Sequence, residues 1–153
     1  MKRIPLTKGK FALIDDEDFS SISRWNWSIT STRYYLYAHR RDGRRLVKMH
    51  RFILSAPTNK VVDHINGNGL DNRKINLRLC SPAENARNQR KHKNNVSGFR
   101  GVSWCKREKK WVAYVAKDGV KKFVGYFKNK KLAALARDQK ATSLHGEFAK
   151  LNF

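Results

Sequence analysis

The chain has 153 residues of which 40% are hydrophobic, enough for modest cores but not for one large one, so two small modules are expected. Its 34 lysines and arginines against 12 acidic residues give a net charge of +22, a self-repulsion that a polyanion such as nucleic acid neutralises; a membrane surface is the weaker rival. No apolar run reaches membrane-spanning length, and Met1-Lys2-Arg3-Ile4-Pro5-Leu6 lacks the apolar stretch of a secretory signal, so the expectation is an intracellular, non-secreted protein without a membrane partner. Only Cys80 and Cys105 are present, neither in a Cys-x-x-Cys pair. A disulfide framework and a four-cysteine structural zinc site are thereby excluded, and a catalytic metal would need oxygen and nitrogen ligands.

From residue 11 the pattern reads as short strands rich in aromatic and β-branched residues: 11–14, 25–29, 34–38 and 46–49. Arg41-Asp42-Gly43-Arg44 is expected to be a hairpin turn. Trp25 and Trp27 share a face by strand periodicity and are assigned to a packed core. The acids cluster at Asp15, Asp16, Glu17 and Asp18, whereas residues 86–131 are densely basic with only Glu108 and Asp118 as acids. The positive potential therefore concentrates in the second half.

Val61-Val62 leads Asp63-His64 to a strand end, Asn66-Gly67-Asn68-Gly69 makes an irregular turn, and Ile75, Leu77 and Leu79 alternate as the returning strand. A helix then begins at once. Ser81 is a good N-cap, Pro82 suits the first helical position, and Glu84 completes a capping box. Asn85 lies in the first turn, with Asn88, Gln89 and His92 on the same face, which is too polar for a core.

Phosphodiester hydrolysis needs a base for the attacking water and a cation to shield charge at phosphorus and the leaving oxygen. His64 offers the base, and Asp63 and Asn85 offer hard oxygen ligands suited to one divalent cation, Mg²⁺ first and Mn²⁺ as the alternative. Adjacent strand residues point to opposite faces, so Asp63 and His64 share one phosphate only if the strand end twists or the phosphate sits between them. The residues alone leave that geometry open.

His50-Arg51, Val62-Asp63-His64-Ile65-Asn66-Gly67-Asn68, Asp71-Asn72-Arg73, Asn76-Leu77-Arg78 and Ser81 to Asn85 together resemble the HNH endonucleases of the ββα-metal fold, particularly phage and intron-encoded members. The resemblance implies a DNA endonuclease with His64 as general base, Asp63 and Asn85 as metal ligands, and Asn76 as a structural brace of the loop. His50 is assigned to support of the site, and His92 is the alternative ligand. Asp71 stands where many relatives have Asn, and Asn85 where many have His.

The basic tract 88–95 reads as a helix end running into a linker, which places a domain boundary near residue 95. The division is therefore a nuclease domain over 1–95, with an aromatic-rich β segment at 1–48 and a ββα-metal core at 49–92, and a second domain over 96–153. In that domain 99–104, 111–117 and 122–127 read as strands, with Asp118-Gly119 as the hairpin and 130–145 as a helix stopped by Gly146. The fold class expected for the whole is α+β: the ββα-metal motif in a β-rich region, then a three-stranded antiparallel sheet packed on one helix.

Gly98-Phe99-Arg100-Gly101-Val102, Lys110 to Val115, Val124 to Phe127, Ala133 to Asp138 and Ala149 to Phe153 resemble the plant-type Apetala or ethylene-response DNA-binding domain. The resemblance implies that Arg100, Ser103, Tyr114, Lys121 and Phe123 face the major groove of double-stranded DNA. Lys106, Arg107, Lys109, Lys117 and Lys122 would hold phosphates, while Trp111, Val115, Val124 and Phe127 face the helix. Ser103, Tyr114 and Ala116 replace arginines of the plant domains, so plant sequence preference does not transfer. For Trp104 the core is preferred to base stacking.

The expected function is thus a metal-dependent HNH DNA endonuclease of homing or phage type, acting as a nicking monomer in a bacterial or phage-infected cytoplasm. Alternatives are a DNA-binding regulator without turnover and a basic RNA-binding protein.

Overall fold

A computed structural model describes residues 1–32, 35–87 and 95–153. The expected placements of Tyr34 in a strand and of Asn88, Gln89 and His92 on a helix face lie outside the described residues, as does most of the tract read as a linker. The fold is α+β with small antiparallel sheets, and the chain divides into two compact units, Met1–Asn85 and Ala86–Phe153.

In the first unit β1 (Lys2–Pro5) pairs antiparallel with β2 (Phe11–Ile14). Strand alternation turns Ala12 and Ile14 inward and leaves Phe11 exposed. With Ile4, Leu6, Ile22, Trp27, Ala38 and Met49 they form a core against which Phe52, Ile53 and Leu70 pack. A single helical turn, α1 (Phe19–Ile22), leads into the sheet of β3 (Ser28–Ser31), β4 (Leu36–Asp42) and β5 (Arg45–Lys48).

The β4–β5 hairpin closes with Asp42 opposite Arg45, so its two central residues are Gly43 and Arg44, and Gly43 supplies the positive φ of 58°. Met49 does not end a strand. It opens a short helix, α2 (Met49–Ile53), which the aromatic and β-branched composition around it had concealed.

Trp25 and Trp27 part company: Trp27 is 4% exposed and Trp25 45%. The backbone N–H of Trp25 still donates to Ile22 in the turn that ends α1 (3.2 Å), and β3 begins at Ser28. Trp27 is fixed in the core by its indole N–H, which donates to the Ile22 carbonyl at 2.9 Å. Trp25 instead lies under the Arg40 guanidinium at 4.0 Å.

β6 (Val61–His64) and β7 (Leu77–Cys80) form an antiparallel hairpin followed by α3 (Pro82–Arg87). The returning strand is shorter than the alternation of apolar residues predicts. Ile75 sits in a 3₁₀ turn, Lys74–Asn76, and is 82% exposed, because the Asn76 side chain is drawn into the preceding loop. Leu79 is exposed as well, whereas Leu77 is buried. The start of α3 follows local chemistry: the Ser81 hydroxyl accepts from the Glu84 N–H (3.3 Å) while the Glu84 carboxylate accepts from the Ser81 N–H (2.8 Å).

The second unit is a three-stranded sheet in the order β10-β9-β8, from β8 (Val102–Cys105), β9 (Lys110–Lys117) and β10 (Val120–Phe127), covered by α4 (Lys130–His145). Asp118 and Gly119 both adopt positive φ (51° and 78°), the left-handed pair that a two-residue hairpin requires. Ala133 and Ala134 of α4 and Ala113 of β9 are fully buried, so the helix lies close to the sheet, with Val102, Phe99, Trp111, Val124 and Phe127 around them. Asn129 caps α4 by accepting from the Lys131 N–H at 2.7 Å.

The first strand of this sheet starts three residues later than expected. Gly101 has φ +71° and cannot continue an extended strand, while the Ser97 hydroxyl holds the preceding turn through Phe99 and Val102 (3.0 and 2.7 Å). The C-terminal tail is tied down by Asp138, whose carboxylate accepts from the Asn152 N–H and Nδ2 (2.5 and 2.9 Å) and from Arg137 (2.9 Å). Asn152 in turn bridges the N–H and carbonyl of Arg100 (2.7 and 3.2 Å).

A Cβ at Gly101 would collide with the Tyr114 carbonyl, whereas one at Gly119, also at positive φ, would meet open space. Gly101→Ala is therefore expected to destabilise this unit by about 3 kcal/mol or more and Gly119→Ala by about 1 kcal/mol. Urea unfolding followed by tryptophan fluorescence would show the difference.

Candidate active site

The site grows from the end of β6 and the loop that follows it. A stretch of mostly polar chain must satisfy its own amides without a core, and the asparagines do this. Asn76 Oδ1 accepts from the Asn66 N–H (3.0 Å) and its Nδ2 donates to the Asp71 carbonyl (2.7 Å). Asn66 Oδ1 accepts from the Asn68 N–H (2.8 Å) and its Nδ2 donates to the Asp71 carboxylate (2.9 Å). That carboxylate also receives Arg73 Nε and Nη2, both at 2.7 Å, and the Arg73 hydrogen bond is the main cause of its lowered pKa.

The loop lies against β4 at Gly69, where a Cβ would collide with the Leu36 carbonyl and meet the Tyr37 ring at 2.7 Å. This close approach leaves Tyr37 beside two imidazoles. Its ring centroid is 5.5 Å from His50 of α2 and 5.8 Å from His64 of β6. The two histidines meet edge to face, with centroids 4.9 Å apart at 88°.

Both are buried, and burial is the first cause of their low proton affinity. His50, with His64, Lys48 and Arg51 adding positive charge, is lowered to about 3. His64 is lowered less freely, since a hydrogen bond with Asn72 and the carboxylates Asp63 and Asp71 act in the other direction. Its Nε2 lies 3.4 Å from Asn72 Oδ1.

Asp63 is buried and its Oδ2 accepts from Arg78 Nε and Nη2 at 3.0 and 2.8 Å. The two are direct cross-strand partners, whereas His64 is opposite Leu77. By strand alternation Asp63 and His64 therefore leave the hairpin on opposite faces. Asn85 is half-buried in the first turn of α3, its N–H donating to the Ser81 carbonyl at 3.0 Å. An amide oxygen such as that of Asn85 and a carboxylate such as that of Asp63 are hard donors, the kind that suits a cation keeping most of its shell as water and phosphate oxygen. The cation already held against Asp63, the Arg78 guanidinium, is consistent with a position that takes positive charge. Among the described residues there is no cluster of three or more His, Cys, Asp or Glu that could hold a metal.

In the second unit the register places Ser103, Tyr114, Lys121 and Phe123 on the sheet face away from α4, with ring contacts Tyr114–Phe123 at 5.7 Å and Phe123–Tyr126 at 5.1 Å. Lys106, Arg107 and Lys109 sit in the β8–β9 turn, where Arg107 pairs with Glu108 at 2.9 Å. Arg100 lies in the turn before β8. Lys117 and Lys122 share the register face of Val115, the α4 side, rather than that of Tyr114. Trp104 also shares the face of Trp111, packing edge-on against it at 5.3 Å, and remains half-exposed.

Two participants escape a reading of the sequence. Asn72 stands in the motif piece Asp71-Asn72-Arg73 but is given no role there, and Tyr37 looks like any strand tyrosine; only their contacts with His64 reveal them. Arg78 was in principle legible, since it faces Asp63 across a short hairpin.

Residues 55–87, which include Asp63, His64, Asn76 and Asn85, match the family model for HNH endonuclease. The chain is 30% identical over 151 residues to a protein of Acanthamoeba polyphaga mimivirus named "Uncharacterized HNH endonuclease", covering 95% of this chain and 76% of that one. It is 36% identical over 98 residues to Protein 3.8 of Escherichia phage T7, covering 61% and 77% respectively. No solved structure matches the chain. The chain belongs to the HNH endonuclease family, whose nucleases typically use a divalent metal.

The depressed His50 carries a stability consequence. An unfolded chain takes up this proton near the ordinary value of 6.5, whereas the folded chain resists until about 3, so the stability is complete above about pH 6.5 and is lost as the pH falls toward 3. His50→Gln is expected to flatten that part of the stability profile, as measured by urea unfolding between pH 7 and pH 4.

Proposed function

We propose that the protein is a metal-dependent DNA endonuclease of the homing or phage HNH kind, which nicks one strand per active site. The observation that carries the reading is a buried His64 at a strand end, its proton affinity lowered by burial, next in sequence to Asp63, which pairs with Arg78, and followed by a capped helix bearing Asn85. In this reading His64 takes a proton from water as the water oxygen attacks phosphorus. The bond from phosphorus to the 3′-oxygen breaks, leaving a 5′-phosphate and a 3′-hydroxyl. Asp63 and Asn85 hold one divalent cation, Mg²⁺ or Mn²⁺, which when bound offsets the charge gathering on the phosphate and the departing oxygen. Asn76 keeps the loop in shape by bracing it from both ends of its amide, and His50 walls the base from solvent.

The second unit is the DNA grip in this reading, an Apetala-type sheet over residues 96–153. Its support is a three-stranded sheet on one helix, with Ser103, Tyr114, Lys121 and Phe123 on the uncovered face and Lys106, Arg107 and Lys109 in one turn at the end. Lys117 and Lys122 would reach phosphates from the flank, and Arg100 from the turn before β8. Nuclease and grip together suit a monomer working on double-stranded DNA inside a bacterial or phage-infected cell.

Incubation of supercoiled plasmid with Mg²⁺ or Mn²⁺ is expected to yield open circles with the wild type. His64→Ala should slow this by about 10²- to 10⁴-fold, and Asp63→Ala should abolish it while retaining binding in a gel-shift assay. Plasmid that is bound by the wild type but stays supercoiled would instead identify a DNA-binding regulator.

A second expectation concerns salt. Replacing Lys106 or Lys109 by alanine should reduce the slope of log affinity against log salt by about 1 for each phosphate that is no longer neutralised. An unchanged slope would remove that lysine from the DNA-binding surface.

A further inference from the structure

We propose that Asn72 is a positioning residue that fixes the tautomer and orientation of His64, and that the N-terminal hairpin β1–β2 exists in part to hold Asn72 in place. The inference deepens the nuclease reading and rests on it for its kinetic consequence. Asn72 is fully buried, and its Oδ1 faces His64 Nε2 at 3.4 Å. A carbonyl oxygen can only accept, so in this orientation of the amide the contact is a hydrogen bond when Nε2 carries the ring proton, which leaves the in-plane lone pair on Nδ1. Nδ1 is then the atom that receives the proton from water.

The contact improves as the reaction proceeds. Once Nδ1 has gained a proton the ring is cationic, and the Nε2–H to carbonyl bond becomes charge-assisted and shorter. An interaction that strengthens on the way to the transition state raises kcat rather than tightening substrate binding. Among the described residues Asn72 Nδ2 meets no acceptor, so the ring contact is the directed interaction of that amide.

The amide is held from a distance in sequence. The Asn72 N–H donates to the Leu13 carbonyl and the Leu13 N–H to the Leu70 carbonyl, both at 2.8 Å, so β2 grips the loop on either side of Asp71. Two residues further on, the Lys74 N–H donates to Asp15 (2.7 Å), and its ammonium pairs with Glu17 (2.5 Å) and Asp18 (3.3 Å). The acidic cluster of an otherwise basic chain thus closes on this loop. That gives residues 1–18 a task that the HNH motif does not assign.

The test is the tautomer itself. In full-length protein labelled with ¹⁵N-histidine, without DNA or metal, the His64 ring is identified by the signals that vanish in His64→Gln. The expected spectrum has a pyrrole-like Nε2 and a pyridine-like Nδ1. Asn72→Leu should give mixed tautomers and a kcat for plasmid nicking lowered about 10- to 100-fold at unchanged KM, and Asn72→Asp, which keeps an acceptor, should restore the single tautomer.

A wild-type His64 with the proton on Nδ1 overturns the proposal even if no Asn72 variant folds, and so does a folded Asn72→Leu with unaltered ring signals and kcat. If His64→Ala nicks as fast as wild type while the tautomer is as expected, the assignment of the base fails and the positioning geometry stands.

Discussion

The loop of residues 65–76 depends on one constraint: every backbone amide in a mostly polar segment, which lends only Leu70 to the core, must find a partner inside the segment or on a neighbour. Asn66, Asn68, Asp71 and Asn76 meet that demand from within, and β2 meets it from outside through Leu13 and Asp15. Because Gly69 carries no Cβ, the loop can lie directly on β4, where Tyr37 is beside His50 and His64. The hairpin, the inserted loop and the first sheet are in this sense one device for placing an imidazole.

Burial then sets the chemistry of that imidazole. Charging a ring in a dry pocket is unfavourable, so His50 and His64 both lose proton affinity, but their partners differ. His50 is surrounded by Lys48, Arg51 and His64, which all oppose a positive charge. His64 has Asn72, Asp63 and Asp71, which favour one. The environment thus treats the two imidazoles differently: the neighbours of His50 add to the effect of burial, whereas those of His64 oppose it.

The second unit packs by a different principle. Small residues on α4 and β9 bring the helix against the sheet, and a single buried carboxylate, Asp138, gathers Arg137, the tail at Asn152 and, through it, the turn at Arg100. Lys106, Arg107 and Lys109 lie on the β8–β9 turn and Lys121 on the uncovered sheet face, away from this packed side. A polyanion could therefore bind there without disturbing the fold.

What the sequence determined by itself was whatever short-range chemistry decides. Ser81, Pro82 and Glu84 open a helix because the capping box closes within four residues, Asp118-Gly119 turns because its own φ angles permit it, and α4 runs from Lys130 to His145 between Asn129 and Gly146. The order of Asp63, His64, Asn76 and Asn85 was equally plain, since a motif is local text. Only the tertiary structure decided that Trp27 is core and Trp25 is not, that Ile75 points into solvent, that His50 is neutral, and that Asn72 touches His64. Those outcomes rest on contacts between distant segments, such as Asp15 with Lys74 across 59 residues, and no local pattern encodes which groups such a closure brings together.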